Sequence, residues 1–156
     1  MKSKTDRAIA AYSKVGVETG IAGASPQRLI LMLYDGALAA MHAAKAALGQ
    51  QDAGARGVAL SKAIAIIDEG LRPALDLDAG GEIATNLMAL YEYVANRLLY
   101  ANLKGDMASI DEAVRLMTEL RGAWDALERQ ARAEAQPSSA QEREAPRAVA
   151  LSYGRV

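Results

Sequence analysis

A single histidine, His42, stands one helical turn ahead of Lys45, the most chemically suggestive spacing in the chain. An imidazole can carry a phosphoryl group, and an ammonium three residues on would lie on the same side of a helix and balance its charge. The pair shares its helix side with Asp35 and Ala39, away from the apolar stripes, so a solvated histidine beside a solvated lysine is the simpler reading. Nothing more demanding can be built on one histidine. A carboxylate-bridged di-iron bundle needs a Glu-x-x-His pair on each of two helices, and no Glu lies three residues ahead of His42. The absence of cysteine removes thiolate nucleophiles, disulfides and Cys-based metal sites. Asp68-Glu69 and Asp111-Glu112 are sequence neighbours that leave a helix in different directions, which suits solvated faces and not a paired general acid and base. Gly20-Ile21-Ala22-Gly23 follows no strand and lacks the lysine of a phosphate loop. The residue types therefore predict no catalytic constellation, no cofactor and no metal.

The tyrosines carry more information. Tyr34, Tyr91, Tyr93 and Tyr100 sit in otherwise aliphatic helical stretches, where a ring fills core volume and its hydroxyl reaches the rim. Tyr12 lies outside the long helices yet is large and apolar, which predicts that it docks into a groove from which a competing peptide could displace it.

Four helices must position these groups. Ser25-Pro26 is a start signal, because Ser can accept a free amide and Pro needs no donor in the first turn. The run from Pro26 to Leu48 stops at Gly49 and spans roughly 35 Å at ~1.5 Å per residue. It carries two adjacent stripes, Leu29, Leu33, Ala37, Ala40 and Ala44 beside Ile30, Tyr34, Leu38 and Met41, an apolar face wider than one helix contact requires. A second helix over 52–75 carries Leu60, Ile64, Ile67, Leu71 and Ala74, with Pro73 near its end. After Asp78-Ala79-Gly80-Gly81, a third over 81–103 carries Ile83, Leu87, Leu90, Val94 and Leu98. Asp106 caps a fourth with Ile110, Val114, Met117, Leu120, Trp124 and Leu127. Short connections between long amphipathic helices predict an all-α fold, an antiparallel four-helix bundle over 25–130. Residues 1–24 hold a short helix around Thr5 to Ser13 and then Gly16, Gly20 and Gly23. They read as a segment that could plug a groove. Residues 131–156 show no apolar stripe and read as a low-complexity, disordered tail.

Composition sets the remaining bounds. The 156 residues suit one compact domain, and 51% are apolar although Phe is absent, so Ala, Leu, Ile, Met and Val must build the core. A net charge of −1 supplies no field to gather a phosphate backbone, which argues against nucleic acid. No run of ~18 uninterrupted apolar residues predicts a membrane span, and the polar start Met1-Lys2-Ser3-Lys4 is no signal peptide, so a cytoplasmic protein is expected.

Several blocks taken together resemble the FliS family of flagellar secretion chaperones. They are Ala11-Tyr12 through Val17-Glu18-Thr19, Ser25-Pro26-Gln27-Arg28-Leu29 through Leu33-Tyr34-Asp35-Gly36-Ala37, Gly80-Gly81-Glu82-Ile83-Ala84, Leu90-Tyr91 with Tyr93, Ala101-Asn102-Leu103, and Arg121-Gly122-Ala123-Trp124. The likeness covers about residues 8 to 128 in order. It implies a non-enzymatic cytoplasmic helical bundle that binds the C-terminal, polymerisation-prone segment of flagellin and presents it to components of the flagellar type III export gate. The same resemblance implies that the N-terminal segment covers part of the groove in the free protein. The groove residues expected on this reading are Tyr12, Leu29, Met32, Leu33, Tyr34, Ile64, Ile67, Leu71 and Tyr91, and a homodimer stays open as a further partner. An amphipathic client helix would suit a bundle with surplus apolar face, and Met32, Met41, Met88, Met107 and Met117 are adaptable side chains for such a surface. The competing function is a histidine phosphotransfer-like bundle acting through His42. Domains of that kind usually follow the lysine with glycine, where this chain has Ala46.

Overall fold

Three of the four long helices begin where a side chain accepts an unpaired amide of the first turn. The structure, a computed structural model, describes residues 25–135, and within that span every regular element is helical. Helix α1, Pro26–Gly49, opens with Ser25 accepting the Arg28 N–H at 3.1 Å and with Pro26 in its first turn. Helix α2, Ala53–Ala65, opens with the Asp52 carboxylate accepting the Ala55 N–H at 3.0 Å. It continues through a wider π turn, Ile66–Leu71, into a last turn, Arg72–Ala74. Pro73 explains the widening: it has no N–H to donate and its ring crowds the carbonyl four residues back, so the Arg72 N–H bonds to Ile67, five residues back. Helix α3, Leu77–Lys104, opens with Asp76 accepting the Ala79 N–H at 3.0 Å and is broken internally at Gly81. Helix α4, Met107–Ala135, follows Asp106, which accepts the Ser109 hydroxyl at 2.5 Å. It runs past residue 130, where the tail was expected to begin. The short helix near Thr5, Tyr12 with its groove-plug role, and residues 136–156 of the tail lie outside the described residues.

Cross-helix contacts give the topology. The chain divides into two compact units between Trp124 and Asp125, and the bundle is the first. Asp35 pairs with Arg121 and Lys45 with Asp111, so ten residues forward on α1 match ten backward on α4, and the two helices are antiparallel. Along α2 and α3, Arg56 bonds Asn102 whereas Arg72 bonds Glu92, again an opposite sense. Helices α1 and α3 keep a constant offset, Tyr34 against Tyr91 and Leu48 against Gly105, so they run in the same direction. The result is an up-down-up-down antiparallel bundle, the predicted fold.

The core sits on the stripes read from the sequence, with small residues between large ones. Leu29, Leu33, Ala37, Met41 and Ala44 of α1 meet Leu60, Ala63, Ile67, Val94, Leu98, Ile110 and Met117, all fully buried. Each large aliphatic side chain removed from water contributes about 1.5–3 kcal/mol before entropy is counted. Alanines let the backbones approach where phenylalanine would hold them apart, and Gly70 takes this furthest. A Cβ there would lie 2.9 Å from Leu33 Cδ2, so the π turn presses directly on α1. Ile83, expected on the core stripe of the third helix, is instead 74% exposed because the chain breaks just before it.

Gly105 ends α3 in the left-handed region, φ 64°, ψ 39°, where an L side chain is strained by about 1–2 kcal/mol. Gly105→Ala is therefore expected to lower the unfolding free energy by about that amount, seen as a lower urea midpoint with an unchanged slope.

Candidate functional site

Three separate stretches of sequence meet at one polar point inside the bundle. Tyr34 of α1 and Tyr91 of α3 are buried, and their hydroxyls lie 2.6 Å apart, so either can donate to the other across the diagonal. Their rings are tilted by 57° with centroids 6.3 Å apart, an ordinary edge-on aromatic contact. Trp124 of α4 packs half-buried against the core, and its indole can only donate. Burial first, and then the neighbouring Tyr91, push the Tyr34 phenol well above its ordinary value, against a hydrogen bond with Trp124. Burial also raises Tyr91, opposed by hydrogen bonds with Tyr34 and Trp124. Two phenols held neutral in this way neither take nor give a proton near neutral pH. Beside them at the surface, Arg121 spans Asp35 with two nitrogens, Nε to one oxygen and Nη2 to the other at 3.3 Å. Leu33-Tyr34-Asp35-Gly36, Leu90-Tyr91 and Arg121-Gly122-Ala123-Trp124 thus form a three-helix joint with a packing chemistry.

The expected groove residues divide by burial. Leu29, Leu33, Tyr34, Ile67, Leu71 and Tyr91 are sealed in the core, whereas Met32 and Ile64 are half-buried against it. Tyr12 lies outside the described residues. The closed bundle therefore presents Met32 and Ile64 of this set, while the other six are the scaffold beneath.

The exposed apolar groups lie elsewhere. On α3, Leu99 is 50% and Leu103 73% exposed, and on α2 Val58 is 74% exposed. Arg56 fixes their level by donating Nη2 to the Asn102 carbonyl at 3.0 Å and Nε to its side chain at 3.4 Å. Leu99 and Leu103 flank this clasp on α3, whereas Val58, two residues on from Arg56, leaves α2 on the opposite side. The signal for the leucines was present in the sequence: they form an i, i+4 pair turned by one residue from the core stripe that includes Leu98. On the side of α3 facing α4, Tyr93 donates to Glu112 at 2.7 Å, Arg97 Nε donates to the same carboxylate at 2.9 Å, and the guanidinium stands 5.3 Å over Tyr100. The hydrogen bond to Glu112, more than burial or charge, pushes the Tyr93 phenol up.

His42 is exposed on α1, and the Lys45 ammonium lies 2.7 Å from the Asp111 carboxylate. A lysine already matched by a carboxylate is poorly placed to balance a phosphohistidine. Among the described residues no group of three or more His, Asp or Glu is placed to hold a metal ion. Helix α1 is long and apolar enough to cross a membrane, and half of that stretch is buried in the bundle, as in the core helix of a folded domain.

A helical bundle with a closed interior and apolar and aromatic groups on its outer faces has the design of a binding module. The comparisons with known proteins give the lineage. The profile of the family described as Flagellar protein FliS matches residues 8–131, and the chain belongs to that family. It is 50% identical over 120 residues to the flagellar secretion chaperone FliS of Salmonella typhimurium, covering 77% of this chain and 89% of that protein. Over 114 residues it is 43% identical to its Escherichia coli counterpart, covering 73% and 84%. Over 121 residues it is 39% identical to FliSB of Pseudomonas aeruginosa, covering 78% and 95%.

Two outcomes follow from this geometry. Tyr34→Phe leaves the Tyr91 hydroxyl short of its partner and is expected to destabilise by about 1–3 kcal/mol, whereas adding Tyr91→Phe recovers part of that loss. Because both phenols are raised in the folded state, their contribution is fully present below the ordinary phenol value of about 10. It is lost as pH climbs above it, when the unfolded chain ionises first. Urea titrations between pH 8 and 11 should show that alkaline decline in the native chain and a shallower one in the double variant.

Proposed function

We propose that this chain is a cytoplasmic export chaperone that holds the C-terminal segment of flagellin, keeps it from polymerising early and presents it to the flagellar type III export apparatus. The observation that carries the reading is family membership over residues 8–131, shared with relatives described as flagellar secretion chaperones. The surface chemistry supports it. An amphipathic client helix needs apolar surface to lie on, and Leu99 and Leu103, an i, i+4 pair on one side of α3, expose such surface. The Tyr93, Arg97 and Tyr100 cluster adds residue types common in interface hot spots. Work of this kind requires no bond to be made or broken, so the client is the ligand and no cofactor takes part. The N-terminal segment with Tyr12 is assigned the role of a weak internal competitor. Ordering each of its residues costs about 1–2 kcal/mol, which offsets most of what one or two buried side chains contribute.

Titration calorimetry with the flagellin C-terminal peptide is expected to show stoichiometric binding with a negative heat-capacity change, the mark of apolar burial. Leu99→Asp combined with Leu103→Asp should weaken that binding at least about tenfold with the thermal midpoint nearly unchanged, because exposed positions rarely control stability. His42→Gln should leave affinity and motility as they were. Absence of binding at tens of micromolar, or loss of motility in the His42 variant with binding intact, would contradict the chaperone reading.

A further inference from the structure

The inward positions of α3 recur at alternating steps of four and three, through Leu98, Val94, Tyr91, Leu87 and Ala84. Continued toward the N-terminus, the same rhythm reaches Gly80 and then Leu77. The sequence is thus patterned for one straight helix starting at Leu77. The backbone departs from that pattern at Gly81, φ 53° and ψ −130°, a conformation open to glycine and strained for other residues. The departure folds the preceding turn back on the helix. A Cβ on Gly80 would lie 2.6 Å from the Ala84 Cβ, whereas residues four apart on a straight helix keep these atoms about 5–6 Å apart. Leu77 is left 49% exposed and Ile83 74% exposed, and every residue from 77 to 83 faces solvent. The bonds that hold the turn are short-range. Asp76 accepts from the Ala79 N–H at 3.0 Å and, through its carbonyl, from the Gly80 N–H at 2.7 Å.

The geometry points to residues 76–81 as a two-state element: a folded-back turn and a straight N-terminal extension of α3 in equilibrium. In the straight state Leu77, Gly80, Ala84 and Leu87 form one unbroken stripe with Ile83 on its flank. The Glu82 and Ile83 amides then bond the carbonyls of Asp78 and Ala79 across what is now the break. The apolar edge of α3 lengthens by roughly 7 Å, about five residues at 1.5 Å each. In the folded-back state the stripe is interrupted and Ala84 is covered, so the free protein presents a shorter edge.

Glycine-to-alanine substitutions in the full-length chain test it directly. In the folded-back turn Gly80→Ala collides with Ala84 and Gly81→Ala is strained, while in a straight helix both residues favour the helical state over glycine. We expect Gly81→Ala, and the double variant more strongly, to slow amide exchange at Glu82 and Ile83 by about tenfold. The Cα chemical shift of residue 81 should become helical, with the thermal midpoint held or raised. Unchanged or faster exchange at those amides overturns the proposal, whatever the midpoint does. Neither readout involves flagellin, so this result and the calorimetric one can fail separately.

Discussion

Two hydroxyls placed in the interior of an otherwise aliphatic bundle constrain everything around them. A buried phenol without a partner costs about 1–3 kcal/mol, and neither Tyr34 nor Tyr91 reaches bulk water. The 2.6 Å contact gives each hydroxyl a partner, one as donor and the other as acceptor, only if α1 and α3 keep the offset that brings residue 34 opposite residue 91. An aliphatic seam would tolerate slippage by a turn, because leucine packs acceptably against leucine in several registers. A hydroxyl pair does not. Buried polar groups are best attested in this registry role, and here the pair acts across the diagonal, so it locates two non-adjacent helices at once. Arg121 and Asp35 repeat the constraint at the surface between α1 and α4.

Once register is fixed, the small residues set the spacing. Ala37, Ala44, Ala63, Ala101 and Ala113 are fully buried, and Gly70 admits the side chain of Leu33 where no Cβ would fit. A core assembled this closely leaves little room to open, so on the proposed reading a client would meet the outside of the bundle. The large side chains the core does not use include Leu99 and Leu103, Val58 on the outer side of α2, and the tyrosine–arginine cluster on the α4 side of α3. On that reading, rigidity beneath and apolar exposure above would lower the ordering cost of binding, since the bundle is already ordered.

Much of this was legible in the sequence, for reasons particular residues make plain. Ser25-Pro26, Asp52 and the leucine and alanine stripes mark helices through local capping and periodicity, which are properties of neighbours in the chain. The number, order and antiparallel sense of the helices followed from them. Tyr34 and Tyr91 were identified as informative, yet a hydroxyl at the rim was expected for most of the tyrosines and this pair lies sealed inside. The reason is that each hydroxyl is satisfied by a residue 57 positions away, and periodicity within one helix carries no information about its diagonal neighbour. The same limit explains why most of the groove candidates lie buried. A wide apolar face on α1 reads as surplus surface until three neighbours cover it. Leu99 and Leu103 emerge as exposed only when the direction of the α3 core stripe is known. The break at Gly81 was visible as a Gly-Gly pair, whereas its folded-back geometry depends on backbone angles that composition does not specify.

The central claim is that the outer apolar strip, and not the bundle interior, receives an amphipathic helix from flagellin. Hydrogen-exchange footprinting of the full chain with and without the flagellin C-terminal segment tests it most directly. The account predicts slower exchange along the segment bearing Leu99–Leu103, with the slow-exchanging amides around Tyr34 and Tyr91 unchanged. Faster exchange around Tyr34 and Tyr91 on binding, with no protection at Leu99–Leu103, would mean that the bundle opens to admit its client and would contradict the account.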